Sequence, residues 1–269
     1  MQLLIYADEK IKTAVSRGGA FYTRKHHRLG LRLNMYCISH QPDHCTRTPI
    51  NKSSPVRDSP PMPKPLLFTA LSNLVEIYKK EDNLLMNKVF LIHGFEGSPN
   101  GGWRPWLMTK LNEHDIWACS LSMPSPEKPI LKEWLDEIKR QIEENKNDEI
   151  YLVGHSLGGT VILRYLETYD DKNIKGVILV STPCEKTQNR KIDNFLETDF
   201  NYEIIKNRVK NIVVIHGADD PWVFPANAEH VAKETNGKLI FIPNGKHLND
   251  SSGFRELPEC LDALLEMTK

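Results

Sequence analysis

Ile150-Tyr151-Leu152-Val153-Gly154-His155-Ser156-Leu157-Gly158-Gly159-Thr160 is the stretch on which the fold turns. Its first four residues are apolar on both alternations, as in a strand covered on both faces. Leu157 to Tyr169 then reads as a helix, so strand passes into helix through Gly154-His155-Ser156-Leu157-Gly158, a G-x-S-x-G turn. A serine on such a turn must take a strained backbone, and glycines two residues to either side are needed because any Cβ would collide with the neighbouring elements. The hydroxyl is thereby pushed into the open.

Outward from this turn, short Val, Ile and Leu runs recur at Lys88 to Ile92, Ile116 to Leu121, Gly176 to Val180, Asn211 to Ile215 and Lys238 to Ile242. Helical stretches lie between them, near Trp103 to Asn112, Pro225 to Asn236 and Leu257 to Met267. The clearest carries Leu131, Trp134, Leu135, Ile138 and Ile142 on one side and charged residues on the other, an apolar stripe at helical period. Alternation of strand and helix with right-handed crossovers predicts a doubly wound three-layer α/β sandwich on a six-stranded, mainly parallel sheet. Ligands of such sheets bind at the carboxyl ends of the strands. Residues 184–207 break the rhythm between the fourth and fifth strands, and read either as a small helical cap over the site or as a surface helix pair.

The chain has 269 residues, with 35 Lys+Arg against 35 Asp+Glu. That balance is a cancellation. Residues 1–86 hold 13 Lys+Arg and 7 Asp+Glu, a net of +6, and residues 87–269 therefore carry −6. Five prolines between Pro55 and Pro65 and the lack of sustained periodicity make a packed domain there improbable. Residues 1–86 are expected to be a disordered extension or a mis-assigned start, with the folded domain at residues 87–269. Lys80-Glu81-Asp82 can be encoded by a purine-rich tract resembling a ribosome-binding site before Met86. Cys37, His40, His44 and Cys45 cluster, but their spacing matches no standard zinc finger. The basic excess could equally serve as an arm for nucleic acid, whereas a net of −6 argues against nucleic-acid binding by the folded half. No apolar run approaches the ~18 residues of a membrane span. The opening MQLLIYADEK has no secretory-signal character, and five scattered cysteines suit a reducing cytoplasm.

A serine hydroxyl is a poor nucleophile unless a base takes its proton, so a histidine and an orienting carboxylate are required. In this architecture the chain order is Ser, acid, His. His216-Gly217-Ala218-Asp219-Asp220-Pro221 follows the fifth strand and Asn244-Gly245-Lys246-His247 follows the sixth, which nominates Ser156, Asp220 and His247. Asp219 competes for the acid role, and Asp220 is preferred because it directly precedes Pro221. Among other histidines, His93 and His216 are read as shaping turns, and His155 as pointing away from the site. Backbone N–H groups of Leu157 and Phe95 would bind the oxyanion, with Gly94 letting the second loop bend. Phe95, Met123 and Trp222 are candidates for an apolar pocket wall, and Pro124 for loop rigidity. Cys119 and Cys184 read as small buried apolar groups. No metal-ligand spacing occurs in the folded half, so neither metal nor cofactor is expected.

These motifs resemble the α/β-hydrolase superfamily. Within it the chain is similar to the small serine hydrolases related to retinoblastoma-binding protein nine and its bacterial relatives. The resemblance runs from about Asn87 to Met267 and includes Trp103-x-x-Trp106-Leu107, Met123-Pro124-Ser125-Pro126 and Trp134-Leu135 besides the elbow. It implies a compact hydrolase fold without two leading antiparallel strands. It also implies cleavage of carboxylic esters or related small acyl substrates through an acyl-enzyme on Ser156, by a monomer or weak dimer. The alternative is a catalytically weak member acting as a protein-binding module.

Overall fold

The computed structural model describes residues 85–269, together with the backbone of two short strands near the amino terminus. Those strands, β1 (Ile5–Ala7) and β2 (Ile11–Thr13), pair antiparallel with Tyr6 opposite Lys12. Chain contacts divide the molecule into two compact units, residues 1–61 and residues 62–269. The hairpin belongs to the first, and everything that follows belongs to the second.

Six strands form the central sheet: β3 (Asn87–Ile92), β4 (Trp117–Leu121), β5 (Glu149–His155), β6 (Ile174–Val180), β7 (Asn211–Gly217) and β8 (Lys238–Ile242). They run in the order β4-β3-β5-β6-β7-β8, and every pairing is parallel. The register sets Ile92 beside Gly154, His155 beside Val180 and Gly217 beside Ile242. Strand order reverses around β3, which opens a crevice at the carboxyl ends of the strands. Parallel strands need long crossovers, and here the crossovers are helices. The sequence expectation of a doubly wound three-layer sandwich describes this architecture.

Helices cover both faces. The helices α1 (Arg104–Glu113) and α6 (Pro258–Met267) pack on one side, where Leu107, Leu111, Cys260 and Leu264 are fully buried with Val89, Leu91, Val153 and Ile215. On the other side lie α2 (Leu131–Glu144), α3 (Leu157–Thr168) and α5 (Pro225–Thr235). The predicted stripe of α2 faces inward: Trp134, Ile138 and Ile142 are buried, while Lys132, Glu133 and Arg140 remain at the surface. Trp134 also donates from Nε1 to Pro124 O at 2.7 Å and meets Phe195 edge to face. Removing its indole would empty a large packed volume, at a cost of about 3–5 kcal/mol. Helix α3 is buried along its first ten residues, Leu157 to Leu166, as befits the central helix of its layer.

Residues 184–207 adopt a 3₁₀ turn (Arg190–Phe195) and the helix α4 (Tyr202–Arg208), so only one α-helix forms in place of a pair. Both readings of the segment hold a part. Phe195, Leu196 and Phe200 enter the core, while Thr187, Asn189 and Ile192 face the cavity described below. The buried Arg164 of α3 fastens the segment: its Nε donates to Phe195 O at 2.9 Å, Nη2 to Thr198 O, and Nη1 to Asp199 O at 3.4 Å. At the amino edge of the sheet, Asn87 Nδ2 donates to Thr268 O at 3.2 Å and Tyr151 Oη to Met267 O at 3.1 Å.

Candidate active site

Ser156 sits between β5 and α3 with φ 53° and ψ −121°, a conformation L-residues rarely adopt. Its neighbours leave no alternative. A Cβ on Gly158 would come within 2.2 Å of Ile92 O, and one on Gly154 within 2.4 Å of Gly158 C. Strand and helix therefore approach so closely that the linking residue must turn sharply. A Cβ at Gly94 would lie 2.9 Å from Ser156 Cβ and 3.4 Å from its Oγ, so the loop after β3 also abuts the serine.

The loops after β7 and β8 meet beside it. His247 Nδ1 lies 2.7 Å from Asp220 Oδ2, and Asp220 Oδ1 accepts from the backbone N–H groups of Trp222 at 2.9 Å and Val223 at 3.0 Å. Asp220 is 3 % exposed. Burial works to raise its pKa, but the hydrogen bond and charge of His247, with the two backbone donors, outweigh it and hold the carboxyl below its ordinary range. Because an ionised carboxylate only accepts, Nδ1 of His247 carries the proton and Nε2 is left to act as a base. The neighbouring Asp219 is exposed and accepts from Lys246 N at 2.8 Å instead.

Three buried histidines, His93, His155 and His216, frame the site. His216 Nε2 bonds Val223 O at 2.8 Å, and His93 Nδ1 bonds Gly94 O at 2.8 Å while its Nε2 accepts from Met123 N. Burial pushes both pKa values down. His155 departs from the sequence expectation. It faces the site, its Nε2 donating to His247 O at 2.9 Å with its ring against those of His247 and Trp103. Burial, followed by the charges of His247 and Arg104, holds it neutral. Strand alternation misplaced it because β5 extends through His155 and the reversal comes one residue later.

Ser156 and His247 line one cavity of about 480 Å³ at the carboxyl ends of the strands. No hydrogen bond joins their side chains among the described residues; in unliganded sites such bonds often close only when substrate binds. Phe95 lines the same cavity, and neither its N–H nor that of Leu157 has an acceptor among the described residues. Trp222 forms part of the rim, 59 % exposed, with its ring centroid 4.9 Å from that of His247. Met123 is displaced from its expected place on the wall. It is 3 % exposed within the core, outside the residues that line the cavity. Sequence reading missed Arg104, a buried cation on the cavity wall, because a lone arginine at a helix start looks like a solvated charge. The two glycines before it, Gly101 and Gly102, were the available signal of close packing.

Among the described residues no group of three or more His, Cys, Asp or Glu could hold a metal, and no helix is long and apolar enough to cross a membrane. The cluster of Cys37, His40, His44 and Cys45 lies outside the described residues. Burial raises the thiol pKa of Cys119 and pushes that of Cys184 up to about 11, which leaves them unreactive.

A parallel six-stranded sheet with a serine on a strained strand-to-helix elbow defines an α/β-hydrolase fold. Comparison with known proteins narrows this. Residues 89–266 match the family described as serine hydrolase, and the chain belongs to it. YdeN of Bacillus subtilis is 32% identical over 182 residues, covering 67% of this chain and 95% of its own length. Its crystal structure superposes with a TM-score of 0.62 over 68% of this chain and 98% of that one. Serine hydrolase RBBP9 of Rattus norvegicus is 24% identical over 167 residues, 61% of this chain and 87% of its own. Est1E from Butyrivibrio proteoclasticus shares the fold at 19% identity and a TM-score of 0.56, over 68% of this chain and 88% of that one. The protein is a hydrolase.

Proposed function

We propose that this enzyme cleaves carboxylic esters or related small acyl compounds through a covalent acyl-enzyme on Ser156. The observation that carries the reading is the buried Asp220–His247 hydrogen bond of 2.7 Å, behind a cavity that His247 and the elbow serine both line. His247 Nε2 takes the Ser156 proton as Oγ adds to the acyl carbon, and returns it to the leaving alcohol as the carbon–oxygen bond breaks. Water then adds to the acyl-enzyme with the same base, and the acid product leaves as Ser156 is reprotonated. Asp220 holds the imidazole in the required tautomer and offsets the charge it gains. The N–H groups of Phe95 and Leu157 bind the oxyanion, the second at a helix N-terminus whose dipole favours negative charge. Phe95 and Trp222 supply the apolar wall. Residues 87–269 are the catalytic unit in this reading, and the three unpaired cysteines of the described residues suit a cytoplasmic setting.

Labelling by a fluorophosphonate, compared with the Ser156→Ala variant, tests the reading together with p-nitrophenyl esters of rising chain length. Wild type should label and turn over, and Ser156→Ala should lose roughly 10⁶ in kcat. Turnover surviving in that variant would remove the assignment. Absence of labelling in wild type would favour the protein-binding alternative.

A further inference from the structure

Arg104 opens helix α1 on the cavity wall and is only 6 % exposed. Its guanidinium has five N–H donors and a single acceptor, Ser98 O, 2.8 Å from Nη2. Nε is fully buried without a partner. Nη1 has no hydrogen-bond partner either and, unlike Nε, is not fully enclosed, on a residue that lines the cavity. Space for the group is reserved by Gly101, where a Cβ would come within 2.9 Å of Nη2. Helix α1 adds its positive end at the same place, and its first turn holds no acidic residue. The two carboxylates on the cavity wall are already engaged: Asp250 pairs with Arg255 at 2.6 Å and Glu96 with Lys191 at 3.4 Å. Burying a cation with most of its donors unused is costly unless an anion completes it.

We propose that Arg104 is an anion-binding subsite of this cavity, and that the substrates are acyl compounds bearing a carboxylate away from the bond that is cleaved. The inference rests on the hydrolase reading for its substrate, though the subsite itself binds at equilibrium. Burial lowers the pKa of Arg104 to about 10, against the opposing field of Asp250, so the guanidinium stays charged at neutral pH.

Mono-p-nitrophenyl esters of three- to six-carbon dicarboxylic acids, each paired with its methyl-capped neutral twin, test the proposal. In wild type the best acidic ester should exceed its neutral twin in kcat/KM by at least about tenfold, the worth of one charge-assisted pair. Arg104→Met should bring that ratio close to one, and Arg104→Lys, which keeps the charge without the fork, should fall between. An equal ratio in wild type, or one unmoved in Arg104→Met, overturns the proposal and assigns Arg104 to holding the Ser98 loop. Should Arg104→Met not fold, the wild-type ratio alone decides. Calorimetric titration of the full chain with monomethyl glutarate against dimethyl glutarate needs no turnover. Selective binding of the anion with no fluorophosphonate labelling would keep the subsite while removing the hydrolase reading, and labelling with no preference for the anion would do the reverse.

Discussion

At the scale of single residues, Ser156 carries the greatest conflict between stability and chemistry. Its positive φ costs of order 1–3 kcal/mol in any residue with a Cβ. Glycine adopts that conformation freely. The Ser156→Gly variant should therefore be stabler by about 1 kcal/mol after the added chain entropy of glycine, seen as a higher urea midpoint, while losing fluorophosphonate labelling. A lower midpoint would mean that the elbow is not strained. Residue-level reading of the sequence put Ser156, Asp220 and His247 at strand ends, where the structure has them, because each is pinned there by its flanks. It could not orient Met123 or His155, since whether a side chain beside a turn faces cavity or core is set by where the strand stops, a matter of one residue.

Elements were more legible than side chains. All six strands announced themselves as short runs of β-branched and aliphatic residues, and α2 as an apolar stripe, because burial on two faces or on one leaves different periods. What stayed hidden was α4, seven residues long and too short to show a period, held by contacts distant in sequence. The chain leading into it is fastened by Arg164, which donates to the carbonyls of Phe195, Thr198 and Asp199 and pairs with Glu167 at 2.8 Å. Arg164→Gln removes most of these donors and leaves the buried carbonyl of Phe195 unpaired, at a cost of about 1–3 kcal/mol, while the carbonyls of Thr198 and Asp199 turn to water. The segment should then loosen as a unit, giving faster proteolytic nicking between residues 185 and 200 and a broadened ester chain-length profile, because Thr187, Asn189 and Ile192 form part of the cavity wall. Nicking at the wild-type rate would show that the apolar anchors Phe195 and Leu196 suffice.

Across the whole molecule, the buried histidines tie stability to pH. His93, His155 and His216 are each held below the ordinary 6.5, foremost by burial. As pH falls through that value the unfolded chain takes up protons that the folded chain refuses, so stability is full above about 6.5 and declines below it. Asp220 works in the same direction further down, its contribution present above 3.8 and lost in stronger acid. Urea unfolding at pH 7.5 and 5.5 should differ by about 1 kcal/mol for each histidine that stays neutral. Equal midpoints would show that protons enter the fold without opening it. The meeting of Asn87 with Thr268 has a different consequence. The stretch from residue 87 to residue 269 is nearly a closed ring, with its ends joined at the amino ends of the strands, away from the cavity. Residue 269 could be spliced to residue 87 by a short linker and new termini opened at the exposed turn near Lys172, and such a rewired chain should still fold around an unaltered cavity.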